Sequence, residues 1–251
     1  AKLGAVEPGI EGEVLQARAV GGSASGAGSH VGLLGGTNRE EQRLFMVTNG
    51  AIGYISSTSD DMAAAAYRLP ADAVEIYRSS RPDAKPGDLL AAISTDWFFR
   101  IPAIRLAEAH AKGAGSTHMY EFAWRSPLFD GKLGACHALE IGFAFDTLDA
   151  SGTEKLTGPN PPQTLADAMH KAWVAFAKTG NPGWDGYDTE RRTERRCDGA
   201  AGVVANASPE GRDAWEGKRY RVKWDSQASQ GRARRKAARE TARPTRPDQN
   251  N

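Results

Sequence analysis

From Thr164 to Thr179 the apolar residues Leu165, Ala168, Met169, Ala172, Trp173, Phe176 and Ala177 recur at i, i+3, i+4, i+7 and i+8 spacing. That period predicts an amphipathic helix, and Gly180 and Pro182 supply its stop. From Met119 to Trp124 the period shortens to two, with Tyr120, Phe122 and Trp124 on one side, which predicts a strand with an aromatic core face. Val31 to Leu34 is a short apolar run closed by Gly35 and Gly36; it reads as a buried strand whose following residues, Thr37 to Gln42, leave on a loop.

Helical pieces are expected at Asp60 to Leu69, at Ala71 to Arg78, and from Asp88 to about Lys112. In the last, Phe98, Ile101, Ile104, Ala107 and Ala111 keep helical spacing while Pro102 marks a first turn or a kink. Residues 1–30 are rich in Gly, Ala and Ser and show no sustained period; GGSASGAGS at 21–29 reads as a loop. Residues 181–204 are turn-rich, with a short apolar segment at Gly202 to Ala205, and Pro209 to Trp215 fits two helical turns. Strands alternating with helices imply an α/β layered domain. Only two or three strands are legible, which is few for 251 residues, so part of the sheet is expected outside this chain.

Charge divides the sequence. From Lys218 to Asn251 there are 11 Lys and Arg against 3 Asp and Glu, leaving 21 basic and 28 acidic residues ahead of them. An acidic body with a basic appendage follows, and residues 220–251 carry no apolar period, as expected of a solvated, disordered tail. Any contact of that tail with nucleic acid would rest on phosphate electrostatics alone, so nucleic acid is not expected as a partner. Asn206-Ala207-Ser208 matches a glycosylation sequon, read here as a chance occurrence. Cys136 and Cys197 have no metal-ligand or disulfide-framework spacing, and neither a metal nor an organic cofactor is expected. No run of about 18 apolar residues and no signal-peptide pattern is present, so no membrane partner and a cytoplasmic location are the expectations.

Of five histidines, His30, His110, His118 and His170 have ordinary surroundings. His137 differs: it follows the turn Gly134-Ala135 and precedes Phe143 and Phe145, rings able to wall it from water, as a general base requires. Glu140 lies close enough to support it, and a carboxylate from a distant loop is the better orienter. Glu40 and Glu41, just past the first strand, supply two such carboxylates, although adjacent acids on a loop are more commonly solvated charge. A Cys136–His137 nucleophile pair is disfavoured, because consecutive side chains seldom reach each other correctly.

These segments carry a family resemblance. VGLLGGTNREEQRLF at 31–45 resembles the acid-bearing loop of type B carboxylesterases, and GACHALEIGFAFDTL at 134–148 resembles their histidine segment. TDWFFRIPAIRLAEAH at 95–110, MYEFAWRSP at 119–127, MHKAWVAFAKTGNPGW at 169–184, DTERR at 188–192 and WEGKR at 215–219 resemble the same family in its chain order, over about residues 31–219. Residues 1–30 form a poorly matching lead-in, and CDGAAGVVANAS at 197–208 resembles a degraded final hairpin. The resemblance implies the C-terminal portion of an α/β-hydrolase fold, with Glu41 as triad acid, His137 as general base and Glu140 supporting the histidine loop. In the family's G-x-x-x-D-E-G, Gly36 matches the first glycine, Glu40 stands where Asp is common, and Gln42 replaces a glycine.

The same resemblance implies a G-x-S-x-G nucleophile elbow ahead of the acid, and this sequence contains none; SASGAGS at 23–29 fails the spacing. The expectation is therefore a carboxylic ester hydrolase acting on small-molecule esters only when a nucleophile-bearing N-terminal half is supplied, and nearly inactive alone. Without that half an unpaired sheet edge and exposed aromatics at Tyr120 and Trp124 are expected. The alternative is a non-catalytic interaction module on an esterase scaffold.

Overall fold

The computed structural model describes residues 19–24, 26–57, 67, 69, 71–199, 201–205 and 209–216. The expectations for the basic tail, for the sequon and for most of the Asp60 to Leu69 helix lie outside the described residues.

Among the described residues, four strands form one sheet in the order β1 (Leu33–Asn38), β2 (Thr117–Phe122), β3 (Thr193–Cys197), β4 (Ala201–Ala205). β1 to β3 run parallel, and β3 and β4 form an antiparallel pair. Among the described residues β1 is an end strand. It starts two residues later than the apolar run and continues through Gly35, Gly36 and Thr37 to Asn38, so the expected loop is partly strand. The reason lies across the ladder: Gly36 pairs with Tyr120, and a Cβ at Gly36 would stand 2.3 Å from the Tyr120 ring. Glycine serves there as a seat for an aromatic side chain, not as a stop.

Among the described residues the α-helices are α1 (Ala19–Ala24), α2 (Arg43–Thr48), α3 (Ala71–Ser79), α4 (Pro86–Thr95), α5 (Ile101–His110), α6 (Ile141–Ala144), α7 (Glu154–Thr157), α8 (Gln163–Thr179) and α9 (Pro209–Trp215). α1 falls where a loop was expected and packs on α5. Between α4 and α5 a π-helical turn, Asp96–Arg100, keeps the chain helical throughout, and Pro102 follows it directly, where the regular i→i−4 ladder is already interrupted.

The alternation of β2 sorts the layers. Tyr120, Phe122 and neighbouring Trp124 join the main core: Tyr120 packs on Trp173 of α8, and Phe122 and Trp124 both pack on Phe143 of α6. Tyr120 and Trp124 are thus half-buried and not exposed as expected, since α8 and the histidine segment pack against them. Met119 points the other way, toward Ala107 of α5 and Tyr187. Glu121, 2% exposed on that same side, pairs with Arg39 at 2.6 Å and lies 3.6 Å from Arg196 of β3. Strand β3, TERRC, thus buries Glu194 among charged side chains, Arg196 and Glu121 included, where an apolar strand would pack hydrocarbon.

Candidate active site

Two loops at the C-terminal ends of β1 and β2 build the site. After Asn38 the chain turns through Arg39 to Gln42 into α2, and after Trp124 it runs through Leu133 to Cys136, all buried, before turning out at His137. The loops are joined by backbone: Glu40 N–H donates to Ala135 O at 2.9 Å, and His137 N–H donates to Glu41 O at 3.2 Å. Glu40 adds a side-chain tie, accepting from Ala135 N–H at 2.9 Å and from Arg125 Nη1 at 2.7 and 2.8 Å, with Arg43 Nε 3.1 Å away. Glu40 therefore clamps the two loops.

Gly134 makes that clamp possible. Its φ is +62°, a region side chains rarely adopt, and a Cβ there would lie 2.3 Å from Glu40 Oε2. Ala138, directly after His137, is left-handed as well at φ +65°, so the chain reverses sharply around the imidazole.

The turn brings His137 and Glu41 together. Nδ1 of His137 lies 2.7 Å from Oε2 of Glu41; the carboxylate side chain is 7% exposed and the imidazole 42%. The other Glu41 oxygen accepts Asn38 N–H at 2.8 Å, which fixes the carboxylate plane. A carboxylate accepting at Nδ1 selects the tautomer with its proton there and leaves Nε2 as the basic nitrogen. The His137 pKa is raised, chiefly by the hydrogen bond to Glu41, with burial opposing.

Glu140 sits beside this pair, not between its members. Its Oε2 accepts from Asn38 Nδ2, and burial raises its pKa above the ordinary carboxylate range while that bond opposes the shift. Cys136 is fully buried in the main core with its thiol pushed up to about 12 by desolvation, a poor nucleophile. His110 bonds Thr117 Oγ1 at 2.8 Å and Val31 O at 2.9 Å, and His170 Nδ1 lies 3.1 Å from Ala144 O, both ordinary structural roles.

The rings flanking the imidazole differ from those expected. Phe143 is buried in the core and Phe145 is 66% exposed, whereas Phe45 of α2 and Phe99 of the π-helical turn stand 5.5 and 5.0 Å from the His137 ring centroid. Phe45 lies one helical turn beyond Glu41, a spacing visible in the sequence; nothing in the sequence pointed to Phe99.

Comparison with known proteins agrees with this architecture. Residues 2–195 match the family model described as the carboxylesterase family, a span that starts ahead of residue 31 and stops short of residue 219. The chain is 31% identical over 196 residues to para-nitrobenzyl esterase of Bacillus subtilis, covering 74% of this chain and 38% of that protein. It is 32% identical over 117 residues to phenmedipham hydrolase of Pseudarthrobacter oxydans, covering 45% and 24%. The Geobacillus stearothermophilus carboxylesterase EST55 superposes with a TM-score of 0.73 at 27% identity, covering 83% of this chain and 45% of that one. The chain thus spans less than half the length of each of these relatives, and its mixed sheet with packed helices is a portion of their α/β-hydrolase fold. Matched over most of its length, this chain belongs to the carboxylesterase family.

Proposed function

We propose that this chain supplies Glu41 and His137 as the acid and base of a serine ester hydrolase whose nucleophile is carried by an N-terminal half. The observation that carries the reading is the 2.7 Å contact between His137 Nδ1 and a buried Glu41 carboxylate, with the imidazole itself open. In the proposed reaction Nε2 of His137 takes the proton of a serine hydroxyl as its oxygen attacks the ester carbonyl carbon. Glu41 stabilises the imidazolium that forms. Collapse of the tetrahedral intermediate breaks the bond to the alkoxy oxygen, which leaves as alcohol with the proton from His137. Water then attacks the acyl-enzyme by the same proton relay, releasing the carboxylic acid and restoring the serine.

The sequence has no G-x-S-x-G, so the serine and the donors that stabilise the oxyanion are assigned to the N-terminal half. The position of β1 at the end of the described sheet supports this, since its outer edge can accept another parallel strand. The substrates are small carboxylic esters. Glu140 supports the histidine loop.

The test is labelling by a fluorophosphonate probe, which reacts with activated serines. The chain co-expressed with the nucleophile-bearing half of a related esterase should label that half, and His137→Ala should abolish labelling. Labelling that is absent, or indifferent to His137, overturns the reading and favours a non-catalytic interaction module, to which the missing G-x-S-x-G lends support.

A further inference from the structure

Asn38 is 1% exposed, and its backbone N–H and its side-chain amide both face the acid–base pair. It is the last residue of β1, held in register against Phe122 of β2, so its backbone belongs to the rigid sheet. From there it makes contacts in two directions. Its N–H donates to Oε1 of Glu41 at 2.8 Å. Its side-chain Nδ2 donates to the carbonyl of Cys136 at 2.6 Å and to Oε2 of Glu140. Cys136 immediately precedes His137 and Glu140 follows three residues later, so a single amide pins both ends of the turn that carries the imidazole.

We propose that Asn38 is the positioning residue of the pair, fixing the acid through its backbone and the histidine turn through its two amide hydrogens. The proposal rests on the reading of Glu41 and His137 as acid and base. Only an amide fits the requirement. Both groups it meets are acceptors, a carbonyl and a carboxylate, and Asn offers two hydrogens on one nitrogen. Asp has the same shape but, when ionised, only accepts, so it would set a third acceptor against the other two. The left-handed Ala138 gives the turn a reason to need such a tie: a strained reversal persists only where its surroundings over-determine it.

Replacement by Asp separates positioning from packing, because a residue that merely fills space tolerates an isostere. The readout is the His137 Nδ1 proton in the full chain by nuclear magnetic resonance, which is visible downfield when protected by a carboxylate and needs no nucleophile. At pH 8, Asn38→Asp should lose this signal through exchange while the near-ultraviolet dichroism stays native, and Met119→Ala, a core change in the separate cluster with Ala107 and Tyr187, should keep it. A signal as sharp in Asn38→Asp as in the wild type overturns the proposal. Should Asn38→Asp fail to fold, Glu140→Ala removes one of the two acceptors and should speed Nδ1 proton exchange severalfold; an unchanged rate overturns the proposal equally.

With the nucleophile half present, Asn38→Asp should lower kcat by roughly tenfold to a hundredfold with KM within about twofold, the pattern of a misplaced base. If the wild-type pair shows no turnover, the functional reading fails, while the proton signal still decides the role of Asn38.

Discussion

His137 Nδ1 and Glu41 Oε2 stand 2.7 Å apart across 96 residues of sequence, and the two side chains differ sharply in exposure, 42% against 7%. The acid is sealed while the base is open, an arrangement that keeps the carboxylate bound to one nitrogen and leaves the other available.

One consequence is a pH dependence with a definite sign. The folded His137 pKa is raised above its ordinary value, mainly by Glu41, so the folded state binds a proton that the unfolded chain releases earlier. The pair's contribution to stability is fully present below the ordinary histidine pKa and is lost as pH rises through the folded value. Glu41→Gln should move the His137 titration downward and reduce the difference in stability between pH 5 and pH 9. Following the imidazole Cε1 proton through a titration reads the first effect directly; an unmoved midpoint would contradict the pairing.

Gly134 offers a backbone test. A side chain there meets both an unfavourable φ of +62° and the Glu40 carboxylate that Arg125 and Ala135 hold in place. Gly134→Ala should cost about 1–3 kcal/mol in urea unfolding, as expected for a residue forced into a conformation it resists. In Glu40→Ala the steric conflict disappears, so adding Gly134→Ala to that background should cost clearly less.

Much of the fold was legible because burial and apolarity coincide. The α8 period follows Leu165 and Met169 into the core, and β2 shows its aromatic face. The sequence misled where they part. β3 buries the polar residues Thr193 and Glu194, so no apolar alternation announced it. β1 contains the glycines that ordinarily end a strand, and the Tyr120 ring that Gly36 accommodates is 84 residues away. For the site, a local reading reached His137 as a base and left Glu40 and Glu41 open; only the family resemblance selected Glu41. The clamping role of Glu40, the amide of Asn38 and the ring of Phe99 depend on contacts between distant segments, which no local spacing encodes.

The buried ionic layer makes a second pH prediction, of opposite origin. Glu194 has its pKa pushed up to about 7, first by desolvation, with Arg100, Arg196 and Arg212 opposing and Glu121 reinforcing. Between the ordinary carboxylate value and about 7 the folded state holds a proton that the unfolded chain has lost, so stability falls as pH rises across that window. Glu194→Gln should remove this slope and gain roughly 1–3 kcal/mol at pH 8 relative to its effect at pH 4.5. Urea midpoints at the two pH values measure it; equal shifts at both would show that Glu194 ionises normally.

The most direct test of the central claim is turnover of a short p-nitrophenyl ester by the purified chain, alone and with a co-expressed nucleophile-bearing half. The account predicts negligible turnover by the chain alone, saturable turnover with the half, and loss of at least about a thousandfold in kcat for His137→Ala. Saturable turnover by the chain alone, or turnover by the pair that survives His137→Ala, would contradict it.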